Sequence, residues 1–220
     1  LCHDGVAQWE RVVGHARDAG LLVIGDVKRG DIGSTAAAYA TAFLTGTPKT
    51  DPRTLCDAVT VNPLLGHDSI TPFLEACRES DTGIYILVRT SNPGGEQFQT
   101  KGNPTLTNQI ADAVVAWGEE LIGSCGLSSV GAVVGATHPT ELKALRERMP
   151  RTPLLLPGYG AQGAGAEDVV AGFLPGGRGV LVNSSRGILY PARDPKTPWR
   201  DATSQALDQM RADLAATGAC

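Results

Sequence analysis

Asp26, Lys28 and Asp31 stand close together in the string Gly25-Asp26-Val27-Lys28-Arg29-Gly30-Asp31-Ile32-Gly33-Ser34-Thr35. In an extended strand, side chains two apart share a face. Asp26 and Lys28 are therefore expected side by side, at a strand end. An ammonium set among carboxylates stays charged and is held in one direction. So held, it can serve as a general acid. Asp31 follows where the chain turns toward the next helix. The same spacing on an exposed loop is an ordinary ion pair of little worth. The eleven-residue string is more specific than the spacing alone.

A second cluster is Gly158-Tyr159-Gly160-Ala161-Gln162-Gly163, formally a Gly-x-Gly-x-x-Gly between a strand and a helix. A dinucleotide site would also want an acidic residue at the next strand end. That strand ends instead in Asn183-Ser184-Ser185-Arg186. The glycines fit better as a place where backbone N–H groups approach a phosphate near a helix N-terminus, with Arg186 as a forked donor. A simple tight turn is the alternative. Residues 92–104 are rich in Gly, Pro and polar side chains, a long loop that either closes as a lid or merely connects. Ser184 and Ser185 lack a Gly-x-Ser-x-Gly elbow, which argues against a serine hydrolase. His3, His15, His67 and His138 are isolated and make no metal-spaced pair. Trp9 and Trp117 fall on apolar helical faces and read as packing, while Trp199 has no assigned role.

The elements that must position these residues alternate. Val6, Trp9, Val12, Val13 and Ala16 recur at helical spacing, and Gly20 is the expected stop. Six short apolar runs follow as strands: 21–25, 58–61, 84–88, 130–134, 154–156 and 179–183. Helices are expected from a Ser34 cap to Leu44, and at 70–78, 105–122, 140–148, 167–173 and 200–216. Runs that are apolar without alternation fit strands buried on both faces of a parallel sheet. Strands alternating with helices argue for an α/β fold. Polar and glycine-rich residues gather after every strand, where a (β/α)8 TIM barrel keeps its active site. Neither a solenoid repeat nor a second domain is visible, so residues 1–220 read as one domain.

Composition bounds the rest. The chain has 220 residues, 42% hydrophobic and 19% charged, with 27 glycines, 14 prolines and a net charge of −4. That length buries a substantial core, and the charge offers no global attraction to nucleic acid or membrane. Cys2, Cys56, Cys77, Cys125 and Cys220 are scattered singly, an odd count that reads as reduced intracellular thiols. No run reaches the ~18 apolar residues of a membrane helix. Residues 1–20 carry a helical pattern rather than that of a signal peptide. A cytoplasmic protein is expected.

The Asp-x-Lys-Arg-Gly-Asp-Ile-Gly-Ser-Thr string resembles the signature of orotidine 5′-phosphate decarboxylases. Thr60-Val61-Asn62-Pro63-Leu64-Leu65-Gly66, Arg89-Thr90-Ser91-Asn92-Pro93-Gly94, Leu156-Pro157-Gly158-Tyr159-Gly160-Ala161-Gln162-Gly163 and Asn183-Ser184-Ser185-Arg186-Gly187-Ile188 fit that family in order. The resemblance implies decarboxylation of orotidine 5′-monophosphate by a homodimer without metal or organic cofactor. It makes Lys28 the donor of a proton to C6 of the pyrimidine, and Asp26 the carboxylate beside the departing one. Asp31 becomes the residue that reaches across the dimer interface, with Ile32 and Thr35 beside it. Ser91 contacts the pyrimidine edge, with Asn92 and Pro93 in the same loop. Pro157 and Tyr159 line the site, Gln162 and Arg186 hold the 5′-phosphate, and Ser185 joins the substrate-binding set. The family also has an aspartate and a lysine at the ends of its first two strands, which nothing here matches. About six of eight βα units are thus expected in the chain, whose strand edges would be exposed. The competing readings are a magnesium-dependent sugar-phosphate decarboxylase or aldolase of the same suprafamily, and a phosphate-ligand-binding relic.

Overall fold

The computed structural model describes residues 3–160 and 162–219, and two of the five cysteines, Cys2 and Cys220, lie outside them. The chain forms two compact units, Leu1–Leu87 with Ala116–Gly131, and Val88–Val115 with Ala132–Cys220.

The first unit opens with helix α1 (His3–Asp18), which leads through a turn into strand β1 (Ile24–Arg29). Gly20, at φ +76°, ends α1 as expected, and the Leu21 N–H reaches back to the Ala16 carbonyl. Of the apolar stripe on α1, Val13 is buried and Trp9 packs edge-on against Phe43 at 5.6 Å. Val12, however, is 67% exposed, so the stripe is not wholly covered. Helix α2 (Gly33–Ala40) runs on into one wider turn, Thr41–Thr45. Ser34 does not cap it. The helix starts two residues earlier, with Ile32 in the cap position, and the Asp31 carboxylate accepts the Ile32 N–H in front of it. Strand β2 (Ala58–Val61), helix α3 (His67–Ser80) and strand β3 (Gly83–Arg89) follow. The core here is Val59, Val61, Ile70, Phe73, Ile84 and Ile86, all fully buried.

Strand β1 differs from the expected 21–25. The Asp57 carboxylate accepts the Val23 N–H, and the Val23 carbonyl accepts from Asp57 and Ala58, so the ladder with β2 begins only at Ile24. Leu21 and Leu22 stay outside the sheet, 61% and 85% exposed. The Asp26-Val27-Lys28 string therefore lies within the strand rather than beyond its end.

The second unit holds most of helix α4 (Leu106–Gly118) and the end of strand β4 (Val130–Val134). Helix α5 (Pro139–Arg148), strand β5 (Leu154–Pro157), the short helix α6 (Ala166–Val169) and strand β6 (Val180–Asn183) come next. Helices α7 (Ser185–Leu189) and α8 (Trp199–Ala216) complete it. Leu142, Met149, Leu154, Leu156 and Val169 are fully buried. Trp199 donates its indole N–H to the Leu189 carbonyl at 2.8 Å, which ties α8 to α7.

The pairings within each unit are parallel, β1 with β2 and β2 with β3 in the first, β4 with β5 and β5 with β6 in the second. Strands β2 and β4 are buried throughout, in keeping with runs that are apolar but for Thr60 of β2. Strands β1 and β6 are not. Leu181 is 48% exposed. No helix among the described residues is long and apolar enough to cross a membrane.

Candidate active site

In the first unit the expected pair is formed. Lys28 Nζ donates to Asp26 Oδ1 at 2.6 Å. The backbone beneath it is irregular. From Gly25 to Arg29, β1 advances four residues while β2 advances two, from Val59 to Val61. Such a bulge re-aims the side chains it carries. Lys28 itself sits at φ +45°, a left-handed conformation that costs a non-glycine residue energy and marks functional positions. Thr60, fully buried in β2, spans the irregularity. Its hydroxyl accepts the Lys28 N–H at 2.9 Å and donates to Asp26 Oδ1 at 2.9 Å.

Asp31 is half-buried, and its carboxylate caps the Ile32 N–H at 2.9 Å. Ile32 is 56% exposed, and Thr35 is exposed one turn along. Gly30 is there because a Cβ would come within 3.1 Å of the Asn62 carbonyl, whose own N–H is bonded to the Arg29 carbonyl. The Asp31 turn is thereby held against the end of β2.

In the second unit, Ser91 follows the end of β3 and lies flat on Gly135. A Cβ at Gly135 would come 2.7 Å from Ser91 Cα and 2.8 Å from its nitrogen. Gly158, at φ +107°, faces the same place. A Cβ there would lie 3.0 Å from Gln162 Oε1, 3.4 Å from Ser91 Cβ and 3.5 Å from Thr137 Cγ2. Ser91, Gln162 and Thr137 thus converge over a floor of two glycines. Gly135→Ala must push the Ser91 backbone aside. It is expected to lower stability by about 1–3 kcal/mol, read as a lower urea midpoint.

Pro157 ends β5, and its carbonyl accepts the Ala136 N–H. The Tyr159 hydroxyl donates to Asp213 at 3.4 Å, and its carbonyl accepts the Ser184 hydroxyl at 2.9 Å. Burial, with the Asp213 carboxylate beside it, raises the phenol above its usual range, so Tyr159 keeps its proton. Ser185 bonds to Asn183 and is exposed, as are Arg186, Asn92, Pro93 and Gln162. No ion pair holds Arg186 among the described residues, so its fork is available to an anion. The expected helix N-terminus behind the glycines is corrected. Helix α6 spans only four residues, and the Gly165 N–H before it is taken by the Asp168 carboxylate.

Loop 92–104 is more ordered than its composition implied. Pro93–Gln97 make a tight helical turn. Gln99 is stapled to Thr90 at both ends of its amide, accepting the Thr90 N–H and donating to the Thr90 hydroxyl, each at 2.9 Å. Under this staple lies Arg89, fully buried. It donates to Glu141 through Nε (2.7 Å) and Nη2 (3.3 Å), and to the Thr90 carbonyl through Nη1 (3.3 Å).

Sequence reasoning thus missed Thr60, Arg89, Gln99, Thr137 and Glu141. Thr60 left a trace, as a lone hydroxyl in the apolar run 58–61, and so did Arg89, as a charge closing the run 84–88. Glu141 left none, because its partner is distant in sequence.

Parallel strands that alternate with helices and gather polar residues at their C-terminal ends define the class of (β/α)-barrel enzymes. A family model described as orotidine 5′-phosphate decarboxylase / HUMPS family matches residues 1–202. The orotidine 5′-phosphate decarboxylase of Rhodopirellula baltica is 42% identical over 219 residues, covering 96% of this chain and 72% of its own length. That of Deinococcus radiodurans is 44% identical over 211 residues, covering 92% and 74%. The solved structure of Leishmania donovani OMP decarboxylase superposes with a TM-score of 0.74 at 33% identity, over 97% of this chain and 76% of that one. The chain belongs to the orotidine 5′-phosphate decarboxylase / HUMPS family.

Proposed function

We propose that the protein decarboxylates orotidine 5′-monophosphate to uridine 5′-monophosphate, with Lys28 as the proton donor. The observation that carries this reading is the Asp26–Lys28 pair, 2.6 Å apart on a bulged strand with the lysine in a left-handed conformation. Loss of carbon dioxide from C6 leaves a carbanion without a conventional electron sink. A preorganised ammonium stabilises such a charge and then protonates it. Asp26 aims the ammonium and stands beside the departing carboxylate.

The remaining roles follow the family resemblance. Ser91 reads the pyrimidine edge, with Asn92 and Pro93 beside it. Pro157, Tyr159 and Ser185 line the bound nucleotide, and Gln162 and Arg186 hold its phosphate. Phosphate binding away from the reacting carbon supplies energy for closing residues 92–104 over the base. Asp31, with Ile32 and Thr35, serves the active site of a second copy in a homodimer. The enzyme works in the cytoplasm, on a small-molecule substrate, without metal or organic cofactor.

The test is the loss of orotidine 5′-monophosphate absorbance, measured on the full product of the gene with EDTA present. Turnover in EDTA is the expected result. A requirement for magnesium would move the assignment to the sugar-phosphate enzymes of the suprafamily, and a folded protein without turnover would sink it.

A further inference from the structure

We infer that Thr60 is the positioning residue that holds Lys28 in its reactive direction, an inference that rests on the decarboxylase reading above. The ladder between β1 and β2 is broken over Lys28, where β1 carries two extra residues between Gly25 and Arg29. Within that break the Thr60 hydroxyl, carried by β2, accepts the Lys28 N–H at 2.9 Å.

The polarity of the contact is fixed by chemistry. A backbone N–H only donates, so the hydroxyl oxygen accepts there and its single proton is left to point elsewhere. It points to Asp26 Oδ1, at 2.9 Å, the same oxygen that receives Lys28 Nζ at 2.6 Å. The chain of bonds closes on itself. Lys28 backbone, Thr60 hydroxyl, Asp26 carboxylate and Lys28 ammonium make one ring, in which the bond from the Lys28 N–H polarises the hydroxyl toward the carboxylate. The ring spans the left-handed residue at φ +45°, and its hydroxyl is carried by a side chain that is 0% exposed and cannot swing away. Two independent constraints, one on the backbone and one on the carboxylate, therefore come from a single oxygen atom. Valine would match the shape of threonine and suit the strand, but it would supply neither.

The experiment compares Thr60→Val, Thr60→Ser and Thr60→Ala in the full gene product, measuring kcat and KM for orotidine 5′-monophosphate separately. Thr60→Ser keeps the oxygen and is expected within about threefold of wild type. Thr60→Val and Thr60→Ala are expected to lose about ten- to a hundredfold in kcat, the scale of a misplaced reacting group, with KM changed less than about threefold. If the valine protein does not fold, the serine and alanine proteins still differ by the oxygen alone. The inference is overturned if alanine and serine variants share one kcat, or if the loss lies in KM alone. A wild-type protein without turnover would instead sink the decarboxylase reading itself.

Discussion

Lys28→Ala and Asp31→Ala proteins are each expected to lose activity by a factor of about 10²–10⁴ in kcat, and a mixture of the two is expected to regain about a quarter of the wild-type activity. The Asp26–Lys28 pair places one ammonium in one direction. Removing that ammonium removes the proton source, and water in its place is neither aimed nor charged. Asp31 differs in kind. Its one side-chain hydrogen bond among the described residues is to the neighbouring Ile32 N–H, and it stands on a turn braced by Gly30 and Asn62. The braced carboxylate suits a role toward a second chain. In a two-fold dimer of that kind, one protomer's Lys28 works with the partner's Asp31. A hybrid of the two variants then carries one site with both defects and one site with neither. Random exchange makes half of all dimers hybrid, so about a quarter of wild-type activity should return. The measurement is turnover after unfolding the two variants together and refolding them. A mixture that stays as inactive as its components would exclude the shared arrangement while leaving Lys28 as proton donor untouched.

Glu141→Leu is expected to destabilise the protein by about 3 kcal/mol, because it strands a buried arginine. Arg89 is fully buried, and its fork meets Glu141 at 2.7 and 3.3 Å. Glu96 approaches the same guanidinium at 3.8 Å from the turn at 93–97. Glu141 is 40% exposed, which keeps the cost at the low end for a broken buried pair. The loss should be selective. Arg89 supports Thr90, and Thr90 is stapled to Gln99, so residues 90–99 should exchange their amide hydrogens faster than α5 does. Replacing both partners, as in Arg89→Met with Glu141→Leu, removes the stranded charge and should recover part of the urea midpoint. A single Glu141→Leu variant that melts like wild type would show that the pair contributes nothing to the loop.

The sequence by itself determined the alternation of strands and helices, and it did so for a physical reason. Strands covered by other elements are mostly apolar, so the runs 58–61, 84–88 and 130–134 stand out against polar turns. The Asp26–Lys28 pair was legible from its two-residue spacing, although the bulge and the left-handed Lys28 that carry it were not. Ser91 and Gln162 came from the family resemblance, whereas Arg186 was also legible from its place at a strand end, where a dinucleotide site would want an acid.

What the tertiary structure alone decided is how these groups are held. Gly135 and Gly158 look like ordinary turn glycines until Ser91 is seen lying against one and Gln162 folding over the other. The start of β1 depended on Asp57, 34 positions from the Val23 N–H that it captures. The left-handed turn at Lys28 depended on a register mismatch with β2 and on the Thr60 hydroxyl, 32 positions away. Local periodicity carries no record of such partners. A bulge is a property of two strands paired together, and a buried arginine finds its glutamate only once the chain between them has folded.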